Sequence, residues 1–319
     1  MKAAAIELTR GTNPYSADFH GTILEKTAQY NAPGWIKKGQ ETYLLFSHYP
    51  YTPAAFLVTV PFFIFFPSIS FYWISVILFL LILVLLVLTV KDPLLKEMAL
   101  VLTFLNPFIW SSVILGHVAD ILSLLFMLLF IFFLLHKKYF FSGFFMGLLF
   151  LTKLYFLLLL PFLLLYFLHQ KKNTFLPGAA ASFLLLTIPF LAWDAHSFID
   201  DTLLIYLGAG KDTLYIWLDT AGLFPLLTSL KIIPPSFEWI PTLTMILGYG
   251  VILFFFVRKK SYSFSRALVY STIASIVFLF FTKFFSFNYL MLPFTIMAGL
   301  VYWRMLQEKP TIHLFELPK

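Results

Sequence analysis

Apolar residues run along this chain in long unbroken blocks, not in the alternating or every-third pattern of a half-buried strand or surface helix. A spanning helix needs roughly 20 mostly apolar residues. Blocks near that length lie at about 70–90, 97–113, 119–135, 140–152, 153–168, 175–192, 239–257, 265–281 and 287–303. Two shorter blocks, at about 53–66 and 221–233, are broken by Pro53, Pro61, Pro67, Pro225, Pro234 and Pro235. Their length and their Tyr, Trp and Lys flanks predict helices lying in the interface. The pattern predicts an all-α, polytopic transmembrane helical bundle of about nine spans plus two interfacial helices. Residues 1–52 form an outer-face segment with short helices, 53–303 the bundle with an outer loop at 193–220, and 304–319 a cytoplasmic tail.

Composition agrees and narrows the class. Of 319 residues, 61% are hydrophobic and 12% charged, with a mean hydropathy of +0.90. A soluble domain carries about 25% charged residues, so a soluble globule and a disordered chain are both excluded. With no cysteine, a disulfide scaffold and a thiol nucleophile are excluded as well.

The net charge of +7 would suggest nucleic acid in a soluble protein, but here it reports orientation. Basic residues gather at Lys91/Lys96, Lys137/Lys138, Lys171/Lys172, Arg258/Lys259/Lys260/Arg266 and Arg304/Lys309. Placing these turns in the cytoplasm makes every predicted span alternate, and leaves the other face slightly acidic. No nucleic-acid partner is expected. The same topology puts residues 1–52 outside with no hydrophobic segment ahead of them, which predicts a further helix upstream of Met1.

Ionisable residues at membrane depth are costly and default to functional candidates. Asp120 opens the apolar block Ile121–Leu135. It reads either as a helix cap or as a carboxylate at an outer cavity shared with His117. Lys153 and Lys283 stand alone near the outer ends of apolar helices. Each either snorkels to the headgroups or supplies a point charge for a phosphate. Asp194, Asp200 and Asp201 fall in the outer loop, where the last two are also placed to cap the run Thr202–Leu207. His48, Tyr49 and Tyr51 form either an aromatic belt or a sugar platform. There is no Walker loop, dinucleotide fingerprint, H-E-x-x-H or G-x-S-x-G, so nucleotide-driven chemistry has no support.

Several segments together resemble the GT-C superfamily of polytopic glycosyltransferases, and most closely the polyprenol-phosphate-mannose-dependent glycosyltransferase family 87. The stretch from Ala4 to Tyr15, ending Gly11-Thr12-Asn13-Pro14-Tyr15, is similar to that family's first outer loop, and Tyr49-Pro50-Tyr51-Thr52-Pro53 to the element that closes it. Asn106-Pro107 with Gly116-His117-Val118-Ala119-Asp120 resembles its "N-P…G-Q-x-[ND]" segment, His117 standing where Gln is usual. Gly143, Gly147, Lys153 and Pro161 resemble its "G…K…P" helix pair. Phe190 to Asp194 and Asn288-Tyr289-Leu290 resemble later segments.

The resemblance implies transfer of a hexose, mannose foremost, from a polyprenyl-phosphate donor to a lipid or glycan acceptor outside the cell membrane, with inversion. It implies Asp120 and His117 at the acceptor, Lys153 and Lys283 at the donor phosphate, and His48, Tyr49, Tyr51, Asp194, Asn288 and Tyr289 at the sugar or acceptor. The family's acidic residue, just after its first helix, has no counterpart here. Glu7 is the nearest stand-in, and the gap matches the upstream helix that the topology demands. No cofactor is called for, and a divalent ion is left open. A lipid or solute transporter or flippase, and a catalytically degenerate homologue, are the alternatives.

Overall fold

The computed structural model describes residues 1–17, 19, 35–38, 41–44, 49, 51–204, 223, 226–227, 230–232, 239–260, 262–281 and 287–307. The chain starts with α1 (Lys2–Thr9) and a short antiparallel hairpin, β1 (Trp35–Lys38) with β2 (Glu41–Leu44), in which Lys38 faces Glu41 and Trp35 faces Leu44. The sequence pattern anticipates short helices in this segment; α1 is one, and the hairpin is an element that the pattern does not anticipate. Then follow α2 (Pro53–Leu57), α3 (Val60–Phe65), α4 (Phe71–Thr89), α5 (Pro93–Phe104), α6 (Pro107–Ile114), α7 (Val118–Leu135) and α8 (Tyr139–Phe150). A 3₁₀ turn, Leu154–Leu159, leads into α9 (Leu160–His169). After it come α10 (Phe175–Ile199), α11 (Trp239–Arg258), α12 (Phe264–Phe281) and α13 (Met291–Gln307).

Among the described residues, four helical stretches are long and apolar enough to cross a membrane: Phe71–Thr89, Val118–Leu135, Phe175–Leu204 and Phe264–Phe281. A fifth, α5 with α6, qualifies as one span bent by 52°. The bend has a local cause. Asn106 stops α5 and caps α6, its carboxamide oxygen accepting from the N–H groups of Phe108 and Ile109 at 2.9 and 3.1 Å. Pro107 then sits at the first helical position, where its missing N–H costs nothing. The blocks at 140–152, 153–168 and 287–303 form shorter helices or helices continued by a 3₁₀ turn, and in the 239–257 block the apolar stretch of α11 is Thr242–Arg258. About half of the 221–233 block lies outside the described residues.

The block at 175–192 is longer than its apolar pattern, and the loop expected from Trp193 is instead helical to Ile199, followed by a π turn, Asp200–Leu204. Asp194 is the reason. Its backbone leaves the helix (φ −158°, ψ 92°), and its carboxylate restarts the next turn by accepting from the Ser197 N–H at 3.1 Å and hydroxyl at 2.7 Å. Phe198 then reaches the rings of Tyr15 and Phe190.

α7 is the central helix. Fourteen of its residues are buried, while large side chains such as Leu88 (76% exposed) and Leu105 (71%) ring the outside. A soluble monomer does not tolerate that much exposed apolar surface, so this bundle suits a lipid solvent. α8 and α10 make the most extensive interhelical contact among the described elements. A Cβ added to Gly143 would overlap the Phe175 carbonyl oxygen, one on Gly178 the Phe140 carbonyl oxygen, and one on Gly147 the Ser182 hydroxyl. Contacts that advance together along both helices make the pair parallel, backbone against backbone, in the manner of a small-xxx-small seam.

Candidate functional site

The site begins with a helix end. Gly116 (φ 67°) closes α6, the Gly116 N–H bonding Val113 O and the His117 N–H bonding Ser112 O at 2.7 Å. This left-handed closure reverses the chain at once, and a side chain at Gly116 would meet Phe71. The reversal faces Ser112 of α6 toward the first turn of α7. There the Ser112 hydroxyl donates to Asp120 Oδ2 at 3.4 Å, and His117 Nδ1 lies 3.6 Å from the same oxygen.

The second half comes from the end of α8. At Lys153 the backbone is extended (φ −154°, ψ 126°), which breaks the helix and turns the side chain inward. Its ammonium donates to Asp120 Oδ1. Neighbouring contacts fix the break. The Ser123 and Thr152 hydroxyls lie 2.7 Å apart, and the Thr52 hydroxyl donates to Leu151 O at 2.7 Å. The Lys153 ammonium also sits 5.4 Å from the Tyr155 ring, which packs edge-on against Tyr289 at 5.3 Å.

The cap reading of Asp120 is corrected. Asp120 does not cap α7; His117 holds that position, and the carboxylate is 1% exposed and ion-paired. Lys153, 9% exposed, does not snorkel to the headgroups. His117 and Tyr51, 39% and 36% exposed, form the rim. Burial, then the Asp120 carboxylate, raise the Tyr51 hydroxyl above its ordinary pKa, so it stays protonated and able to donate. Tyr51 is positioned in turn by its carbonyl, which accepts from the Tyr15 hydroxyl at 2.9 Å, and by Tyr49 at 5.7 Å.

The other expected residues are elsewhere or engaged. Glu7 pairs with Arg10 at 2.9 Å on α1. Asp194 is occupied as the cap described above. Asp200 and Asp201 are buried in the π turn, and the later part of the run they were expected to cap lies outside the described residues. His48, Lys283 and the Asn288 side chain lie outside the described residues. Ser112, Thr152 and Tyr155 had no signal in the sequence strong enough to single them out. Among the described residues, no group of three or more His, Asp or Glu side chains is placed to hold a metal ion. Comparison with family models, curated proteins and solved structures gives no match.

Burial lowers the His117 imidazole pKa; Asp120 pulls it up and Lys153 pushes it down, the net position lying below the ordinary 6.5. In the window just below pH 6.5 the unfolded chain thus binds more protons at this residue than the folded one. Its stabilising effect is complete above that value and is lost as pH falls through the folded pKa. Thermal midpoints from pH 5 to 8 should therefore rise with pH more steeply in the wild type than in His117→Gln. Equal slopes would remove the imidazole from this account.

Proposed function

We propose that this chain is an integral membrane hexosyltransferase of the GT-C type, its nine spans placing the Asp120–Lys153 pair at the outer face of the cell membrane. It takes a hexose, mannose foremost, from a polyprenyl-phosphate donor to a lipid or glycan acceptor. The observation that carries the reading is a buried carboxylate–ammonium pair under a polar rim of His117 and Tyr51, at the bundle end opposite the lysine-rich turns. Together with the motif resemblance, that placement suits an anionic, lipid-linked substrate arriving from the leaflet.

In this mechanism the donor phosphate takes Lys153 from Asp120. The freed carboxylate accepts the proton of the acceptor hydroxyl as its oxygen attacks the anomeric carbon. The bond from that carbon to the phosphate oxygen breaks, the phosphate keeps the electron pair, and Lys153 stabilises the charge it gains. Tyr51 donates a hydrogen bond to the incoming sugar or acceptor.

The test is transfer of labelled mannose from a polyprenyl-phosphate donor by the purified protein. Asp120→Asn should lower kcat by about 10²–10⁴-fold. A wild-type protein that binds the donor without turning it over would overturn the enzymatic reading. A charge pair between helices also serves transporters, which gives a second reading. Asp120 stands in the first turn of α7 and not at its middle, which favours chemistry at the surface, and substrate flux into proteoliposomes would reverse that preference.

A further inference from the structure

The opposite end of the bundle carries a second feature, independent of what the Asp120 site does. Because α8 and α10 run parallel with their backbones touching, the turns that feed them lie side by side, Lys137-Lys138 before α8 and Lys171-Lys172 before α10. Lys172 links the two. Its ammonium donates to the Tyr166 hydroxyl at 3.0 Å and lies over the Tyr139 and Tyr166 rings at 4.9 and 5.1 Å. Burial lowers its pKa, which Tyr139 partly opposes. The adjoining turn joins the same face, since Tyr262 packs on the His169 ring at 5.1 Å; it brings Arg258, Lys259 and Lys260. Among the described residues none of these seven cations lies within ion-pair distance of a carboxylate.

The backbone makes the lysines conspicuous. Lys137 and Lys171 have φ of 57° and 50°, and each closes its helix where glycine is the usual residue: the Lys138 N–H reaches Phe133 O and the Lys172 N–H reaches Phe167 O. A left-handed backbone is unfavourable for a residue that carries a Cβ. Orientation alone would be served by lysines one position away at no such cost.

We propose that the paired turns Lys137-Lys138 and Lys171-Lys172 seat the headgroup of an anionic phospholipid, its phosphate centred on Lys172 between Tyr139 and Tyr166. Two ammonium N–H groups of Lys172 remain for phosphate oxygens, and the flanking lysines supply the surrounding positive charge.

The experiment titrates the detergent-solubilised protein with phosphatidylglycerol, phosphatidylcholine or inorganic phosphate, reading bound lipid by native mass spectrometry alongside the thermal midpoint. Phosphatidylglycerol should bind and raise the midpoint, while the other two should not. Lys137→Gly and Lys171→Gly suit the left-handed backbone, so each should keep or raise the midpoint of the lipid-free protein. Each should also weaken phosphatidylglycerol binding about fivefold. Lys172→Gln should weaken it at least as much. Lys231→Gly, at another left-handed lysine (φ 57°), should leave lipid binding unchanged. Equal response to both lipids, undiminished binding by the three seat variants, or an equal effect of inorganic phosphate would overturn the proposal.

Discussion

Lys153→Met should destabilise the protein by about 3–5 kcal/mol, and the double variant Asp120→Asn/Lys153→Met should recover most of that loss. The single substitution leaves a carboxylate that is 1% exposed with neutral groups around it, among them the Ser112 hydroxyl, the His117 imidazole and the Tyr51 hydroxyl. None of these replaces the lost positive charge. The double variant removes both charges while keeping their volumes, so its cost is that of the lost pairing alone. Denaturant midpoints in detergent, arranged as a double-mutant cycle, measure the difference. Additive single effects would mean that the two side chains do not depend on one another. Sugar transfer should fail in both variants, which separates the pair's structural work from its chemical work: the double variant folds and still does not turn over.

The second large effect falls at Gly143. Alanine there should cost about 1–3 kcal/mol and leucine should abolish recovery of folded protein, as judged by monodisperse elution in detergent. The obstruction is the Phe175 carbonyl oxygen, a backbone atom fixed within α10, so no rotamer change relieves it and the helices must part. Gly250 on α11 supplies the control. A Cβ there meets nothing within 4 Å, so Gly250→Ala should stabilise by about 0.4–1 kcal/mol through the unfolded chain. If the two alanine variants behaved alike, close packing of α8 on α10 would be refuted.

Long helices and their ends were legible from residue order. The blocks at 70–90, 119–135 and 265–281 are continuous apolar runs with polar ends, and the helices follow them within a residue or two. Gly11 (φ 78°) stops α1 as its type predicts. The short elements were less legible, because a span broken by a cap reads in hydropathy as one block. Asn106-Pro107 within 97–113 shows this, and so does Asp194, whose spacing to Ser197 is a capping signature that charge alone obscured. At the site, Asp120, His117, Lys153 and Tyr51 were all singled out, and Asp120 was read together with His117, but not with Lys153 or Tyr51. That Asp120 and Lys153 neutralise one another follows from the packing of α7 against α8 and the extended backbone at Lys153. Neither leaves a trace in a one-dimensional pattern. The seam at Gly143 and Gly147 was noted only as spacing, since which small residues touch depends on the partner helix.

The parallel contact between α8 and α10 also sets an order of events during synthesis. The chain must leave the basic face in α8, return through the 3₁₀ turn and α9, and set out again before Phe175 and Gly178 exist to meet Phe140 and Gly143. At typical translation speeds those intervening residues take about 2–7 s to make. Throughout that interval the glycine face of α8 has only lipid, α7 or the insertion machinery against it, and the helix is held mainly by its contact with α7. Assembly of this half of the bundle is therefore gated by the arrival of α10, and a ribosomal pause placed between Gly143 and Gly178 would lengthen the window in which α8 is exposed to degradation.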